Sequence, residues 1–191
     1  RGPELSEEFR LAPDGSFADY KVTGTTTFGA AVDERFWREG RQSKWKSTSE
    51  QGQTDAGEGA LYIPLGGTPQ ASSVAIAAMA RRGVNELPLL PGGTLHQRVV
   101  REMEVESDGA TQTVQLLAQT GLGMSPQFVW ATKADAATKA EPRVFSFIVP
   151  GYLVAIEEGW ERNGEALTQA QVEAEGSMVK DLAKRLFAPA K

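Results

Sequence analysis

Apolar and polar residues alternate with period two through most of this 191-residue chain. Strands that turn one face to a core and the other to water produce that pattern. Leu5, Phe9 and Leu11 alternate with polar neighbours, and Pro13-Asp14-Gly15 supplies a turn. The strand predicted to return over residues 17–28 meets a second one, 32–39, around Gly29-Ala30-Ala31. Thr, Val and aromatic residues suit a pleated surface, and a short Gly-containing link suits a hairpin. Glu39-Gly40-Arg41-Gln42 reads as another hairpin turn before residues 43–49, which brings Trp37 and Trp45 near one another as a cross-strand pair or as separate core anchors.

Beyond this meander the period breaks. Residues 50–59 are rich in Gly, Gln and acids and read as a surface loop, and 60–64 as a short strand ended by Pro64. Thr68 then Pro69 gives an N-cap and a first-turn proline, and the predicted helix runs to about Arg82, stopped by Gly83. Val74, Ala75, Ala78 and Met79 form its narrow apolar face. Residues 87–90, with Pro88 inside the stretch and Pro91 after it, read as an apolar linker ending in Gly92-Gly93.

Residues 94–106 read as one long strand, with Leu95, Val99, Met103 and Val105 on one face and His96, Arg98, Val100, Glu102, Glu104 and Glu106 on the other. Asp108-Gly109 signals a hairpin, with Val114, Leu116 and Ala118 on one face of the returning strand 111–120. Strands at 128–132, 143–149 and 152–157 follow, separated by breaks at 121–126 and 133–142 and by Pro150-Gly151. Thr168 and Gln171 fit a capping box that opens a last helix ending before Pro189, with Val172, Met178, Val179, Leu182, Leu186 and Phe187 as its apolar stripe. The sum is eight to ten antiparallel strands and two helices. It predicts an α+β fold: a curved, half-barrel-like antiparallel sheet packed on one or two helices within a single domain, 1–191.

Charge removes one class of partner. The net charge is −5, and no window gathers the Lys and Arg that phosphate neutralisation needs, so no nucleic acid is expected. No apolar run reaches the roughly 18–20 residues of a membrane span. There is no cysteine, which removes disulfides and thiolate chemistry and leaves the redox compartment open. The chain begins at Arg1 without a methionine and reads as a processed or cut piece; strands missing upstream would leave a sheet edge open.

Chemistry-bearing patterns fail one by one. His96 is the one histidine and has no H-x-H or H-E-x-x-H companion, so it reads as a solvated rim position. Gly123-Met124-Ser125-Pro126-Gln127 lacks the second glycine of a nucleophile elbow, and Pro126 removes an amide that an oxyanion hole would use. Residues 159–164 have P-loop spacing, but Glu165 and Ala166 stand where Lys and Ser/Thr belong, and Gly57-Glu58-Gly59 lacks the helix of a dinucleotide fingerprint. Glu102, Glu104 and Glu106 read as a solvated ridge, and Glu157, Glu158 and Glu161 as a turn around Trp160. Phe128, Trp130, Phe145, Phe147, Tyr152 and Trp160 either line an apolar pocket or form the core, and the core reading is preferred.

Several stretches together resemble one family. V-T-G-T-T-T-F-G-A-A-V-D-E-R-F at 22–36, A-L-Y at 60–62, the helix at 71–82, L-P-L-L-P-G-G-T-L at 87–95 and E-E-G-W at 157–160 are similar to the N-terminal leader region of bacterial metal-dependent amidohydrolases of the imidazolonepropionase-like group. The resemblance implies a periplasmic or secreted accessory domain placed before a metal-binding barrel. It also implies a partner, the downstream catalytic domain of the same polypeptide, with self-association through an open edge as a further option. The family's H-x-H pair and its other metal ligands have no counterpart in this chain, so no catalytic, cofactor-binding or metal-binding residue is carried over and no cofactor is expected. The alternative reading is a periplasmic carrier of a hydrophobic, lipid-type ligand.

Overall fold

A computed structural model of the chain describes residues 2–55, 57, 59–134 and 140–186. Strands β1 (Glu4–Leu11), β2 (Phe17–Thr25), β3 (Ala31–Glu39), β4 (Gln42–Lys46) and β5 (Gln51–Thr54) form a five-stranded antiparallel meander in chain order, sheet 1. Sheet 2 contains β6 (Leu61–Tyr62), β7 (Glu86–Leu90), β8 (Thr94–Ser107), β9 (Ala110–Thr120), β10 (Gln127–Thr132), β11 (Val144–Val149) and β12 (Leu153–Ile156). Their spatial order is β12-β11-β10-β9-β8-β7-β6. The helix α1 (Gln70–Arg82) joins β6 to β7, and a helical crossover of this kind lets that pair run parallel. A 3-10 turn at Glu161–Asn163 leads into α2 (Gly164–Leu186). The fold is α+β, as the sequence pattern implies, and neither sheet closes into a barrel.

The layers are sheet 1, α1, sheet 2, α2. On one side of α1, Val74 and Ala71 join Phe17, Tyr20, Val22, Phe36 and Trp45 of sheet 1. On the other, Ala75, Ala78 and Met79 pack with Leu61, Leu87, Leu89 and Leu95, and Ile76 with Leu117, Val129 and Ala131. A helix pressed from two sides must be apolar nearly all round, and Ser73-Val-Ala-Ile-Ala-Ala-Met79 is. Its one buried hydroxyl, Ser73 Oγ, accepts the Val144 amide of β11 at 3.0 Å. Alanine keeps the layers close: a Cβ on Gly15, in the β1–β2 turn, would lie 3.3 Å from the Ala78 Cα.

Sheet 2 is covered on both faces at its centre. Leu117, Val129 and Ala131 face α1, while Val114, Leu116 and Trp130 face Leu167 and Ala170 of α2. Strands buried on both sides lose the alternation, and Leu-Leu-Ala at 116–118 and Val-Trp-Ala at 129–131 read accordingly.

The structure differs from the sequence expectations in six places. Residues 87–90 are not a linker but part of β7, paired with β8 through Leu87 and Leu95. The Leu89 amide donates to the Gly93 carbonyl on the β8 side, so the amide that Pro88 lacks falls on the opposite side, at the end of the two-residue β6. Part of the 50–59 loop is β5, an edge strand; Ala56 and Glu58 lie outside the described residues. A register shift between Val99 and Arg101 in β8 moves Leu95 and Val99 onto the α1 face and Met103 and Val105 onto the α2 face, so the single apolar face splits in two.

Trp45 pairs with Phe36, and Trp37 pairs with Lys44 on the opposite face, so the two tryptophans are not neighbours. The last helix starts at Gly164, not at Thr168, whose hydroxyl instead donates back to the Gly164 carbonyl at 2.7 Å. Finally, α2 packs through Leu167, Ala170 and Ala174, while Val172 and Val179 are exposed. The side chains of Leu182 and Leu186, with Phe187 and Pro189, lie outside the described residues, as do residues 135–139 of the 133–142 loop.

Candidate functional site

The alternation in β3 places Val32, Glu34 and Phe36 on the inward face, and a carboxyl group in phase with the core needs partners. Glu34 is 2% exposed, the one acidic residue buried to that degree among the described residues. It accepts the Tyr62 phenol, the Leu65 amide at 3.0 Å and the Gly66 amide at 2.9 Å. Glu7 of β1 makes a matching set: the Tyr20 phenol at 2.5 Å, the Thr68 hydroxyl at 2.5 Å and the Thr68 amide at 3.3 Å. The Tyr20 and Tyr62 rings lie 6.2 Å apart, and Tyr62 stacks on Phe36 at 4.7 Å. Two carboxylates of sheet 1 thus clasp the loop 63–68, which launches α1.

Two glycines let this loop come close. A Cβ on Gly66 would sit 2.6 Å from Val32 Cγ1, and one on Gly67 2.6 Å from Pro64 Cγ. Burial, then the hydrogen bond and negative charge of Glu7, push the Tyr20 phenol far above the usual tyrosine range. Burial and Glu34 do the same to Tyr62. In this neutral form each phenol donates a hydrogen bond to a carboxylate of sheet 1. The cluster works as a clasp between sheet 1 and the loop.

A second junction is cationic. Arg82 of α1 donates to the Asp14 carboxylate at 2.8 Å, the Asp14 carbonyl at 3.1 Å and the Gly59 carbonyl at 2.5 Å. Arg38 of β3 donates to the carbonyls of Phe17 and Ala60, at 3.1 and 2.9 Å. Burial works against the charge on Asp14, but hydrogen bonds from the Ser16 hydroxyl and amide, with Arg82 and Arg38 nearby, outweigh it and hold the carboxyl below the usual range.

Beside the clasp a cleft of about 380 Å3 opens between the start of α1 and sheet 2. Ile63, Leu65, Leu95, Leu122 and Phe147 provide its apolar wall, with Gln119 and Gln127 as polar points, and among the described residues none that lines it is charged. Its volume lies in the range of about 300–1,000 Å3 that holds small organic ligands.

The remaining sequence candidates are dispersed. His96 is exposed on β8, its Nδ1 3.3 Å from Glu86. Ser125 is exposed in the loop after β9. Glu102 binds Gln115 at 2.8 Å and Lys133 at 3.0 Å, and these two bonds hold its carboxyl below the usual range, while Glu104 and Glu106 are exposed beside it. Glu157 pairs with Arg143 at 2.6 Å, and Glu161 accepts the Gly159 amide at 3.0 Å. Trp130 and Phe145 are core, Phe128 and Trp160 pack against it, Phe147 lines the cleft and Tyr152 is exposed. Among the described residues no three His, Asp or Glu side chains converge as a metal site would require.

Sequence reasoning passed over the clasp, although its signal is there: Glu34 stands in phase with Val32 and Phe36 in an otherwise apolar register. Comparison with protein families, with curated proteins and with solved structures gives no match to this chain.

Proposed function

We propose that this chain is a non-catalytic accessory domain of a periplasmic or secreted metal-dependent amidohydrolase, held against the catalytic domain encoded downstream. One observation carries the reading. The stretches that resemble the family's leader region are the scaffold itself: residues 22–36 supply Val22, Glu34 and Phe36, 60–62 supply Tyr62, 71–82 are most of α1, and 87–95 supply Leu87 and Leu95. A sequence signature placed on clasp and core specifies a shape, and its buried carboxylate is taken up by a phenol and two amides. The test is to express the catalytic part of the same reading frame with and without this chain. A complex on gel filtration, and a catalytic part that loses stability or activity alone, are expected. Hydrolysis of an acyl-amino acid by this chain alone with Zn2+ supplied, or a reading frame with no H-x-H barrel, overturns the proposal.

The uncharged cleft favours a second reading, a carrier of a hydrophobic ligand. That reading expects a lipid or another neutral apolar molecule in organic extracts of the purified protein, displaced in Leu122→Trp. An extract free of such molecules removes it.

A further inference from the structure

The sheets end in strands that differ in how their open edges are protected. β1 carries Glu4, Glu8 and Arg10 at exposed positions, and β5 is four polar or glycine residues, Gln-Gly-Gln-Thr. β6 is two residues long and fully buried. Charge, shortness and cover are the usual defences of an edge. β12 is short, at four residues, but its edge has neither charge nor cover. Leu153-Val154-Ala155-Ile156 is uncharged and apolar, with Leu153 42% and Val154 48% exposed, and Tyr152 beside it is exposed too.

Its backbone is also free on one side. The Glu157 amide donates to the Phe145 carbonyl, and the register pairs Ala155 with Phe147 and Leu153 with Val149. By the alternation of an antiparallel ladder, the N–H and C=O of Val154 and Ile156 therefore point away from β11. They meet no partner among the described residues. Next to this edge the start of α2 forms a wall, and Val154 lines one shallow groove with Glu161, Gly164, Glu165, Thr168 and Gln169. The charged residues of that lining, among the described residues, are Glu161 and Glu165, both negative.

We propose that β12 accepts an extended strand of another polypeptide, one with alternating apolar residues and a Lys or Arg that reaches Glu161 and Glu165. Backbone bonds to Val154 and Ile156 align the strand, and the acidic rim selects its charge. A second copy of this chain fits poorly. Two-fold pairing of β12 with itself keeps both α2 helices on one face and brings their Glu161 and Glu165 side chains together, which is repulsive. For the identity of the strand's owner, the downstream catalytic domain, the inference rests on the accessory reading; for the surface itself it does not.

The test uses a blocked Lys-Val-Thr-Val-Thr-Val-Lys peptide at millimolar concentration with the 191-residue chain, and hydrogen exchange read by NMR. Slowed exchange of the Val154 and Ile156 amides, and of no amide in β1 or β5, is expected. Val154→Pro removes an outward N–H and leaves the ladder to β11 intact, so it weakens uptake by about tenfold without lowering the thermal midpoint. Glu165→Lys weakens it several-fold, and added salt weakens it in the native chain. Protection at another edge, no protection at all, or full uptake by both variants overturns the inference. The same variants mixed with the catalytic part separate the two claims. Undiminished binding by Val154→Pro rejects the β12 edge and keeps the accessory reading, whereas peptide uptake without binding to the catalytic part keeps the edge and rejects that reading.

Discussion

Removing the Glu34 carboxylate is the sharpest test of how the layers are held. Glu34→Ala leaves the buried Tyr62 phenol without an acceptor, which costs about 1–3 kcal/mol. The Leu65 and Gly66 amides are partly buried and reach water once the loop relaxes, so each loses about 0.5–1.5 kcal/mol. The sum is about 2–6 kcal/mol, a large share of the roughly 5–15 kcal/mol that holds a domain folded. At about 2–4 °C per kcal/mol for a chain of this size, the thermal midpoint falls by about 4–24 °C. Tyr62→Phe removes one donor and leaves Glu34 its two amides, so it costs about 1–2 kcal/mol. Urea unfolding followed by tryptophan fluorescence gives both values, and the double variant gives a coupling of about 1–3 kcal/mol between the two groups. Additivity within about 0.5 kcal/mol, or a loss below about 1 kcal/mol for Glu34→Ala, would refute the clasp.

Other outcomes follow from the same geometry. In the unfolded chain the phenols of Tyr20 and Tyr62 ionise near pH 10, while in the folded chain they stay protonated well above it. Stability is therefore complete below about pH 10 and falls above it by about 1.4 kcal/mol per pH unit for each tyrosine. Absorbance at 295 nm should show both ionising in step with unfolding, and ionisation before unfolding would contradict it. Asp14 behaves oppositely: its depressed carboxyl adds stability above its unfolded value near pH 4, lost as the pH falls further. Midpoints measured from pH 6 to 2 should fall less steeply in Asp14→Asn. Gly15→Ala places a Cβ 3.3 Å from the Ala78 Cα at a φ of +84°, and circular dichroism melts should show a loss of about 1–2 kcal/mol or more.

How much of this was legible depended on whether neighbours override local pattern. The β2–β3 hairpin and the Gly83 stop of α1 were readable because turn chemistry is local: the Thr26 amide meets the Ala30 carbonyl at 2.9 Å, and Gly83 adopts φ +64°. The β8 bulge was not, since a period-two pattern carries no mark of an inserted residue; Val100 looks like any other outward valine. β5 escaped because Gln-Gly-Gln-Thr has no apolar alternation, and it is held by pairing with β4 and by the Trp45 ring over Gly52. Thr168 and Gln171 imitate a capping box, yet tertiary contacts decide otherwise: Gln171 reaches the Ile148 carbonyl at 3.1 Å. The exposure of Val172 and Val179 could not be read from spacing, because helical periodicity shows that residues share a face and not that anything covers it.

The two features argued above sit at opposite ends of the molecule, and that separation has a consequence. No strand pair joins sheet 1 to sheet 2 among the described residues; the clasp, the arginine junction and the faces of α1 hold them together. The clasp lies over β6, while β12 is the far edge of the seven-stranded sheet, six strand spacings or about 29 Å away. At about 29 Å two unit charges interact by only about 0.1–0.6 kcal/mol for an effective dielectric between about 80 and 20, so the buried Glu34 and the exposed Glu165 are barely coupled. Loosening the clasp should detach sheet 1 while β9 to β12 and α2, which share the core around Trp130 and Leu167, stay ordered longer. Hydrogen exchange of Glu34→Ala should therefore rise first in β1 to β4, and peptide uptake at β12 should be unchanged at temperatures where the variant is folded. A uniform rise across both sheets, or lost uptake, would mean that α1 transmits strain from one sheet to the other and that the layers do not act separately.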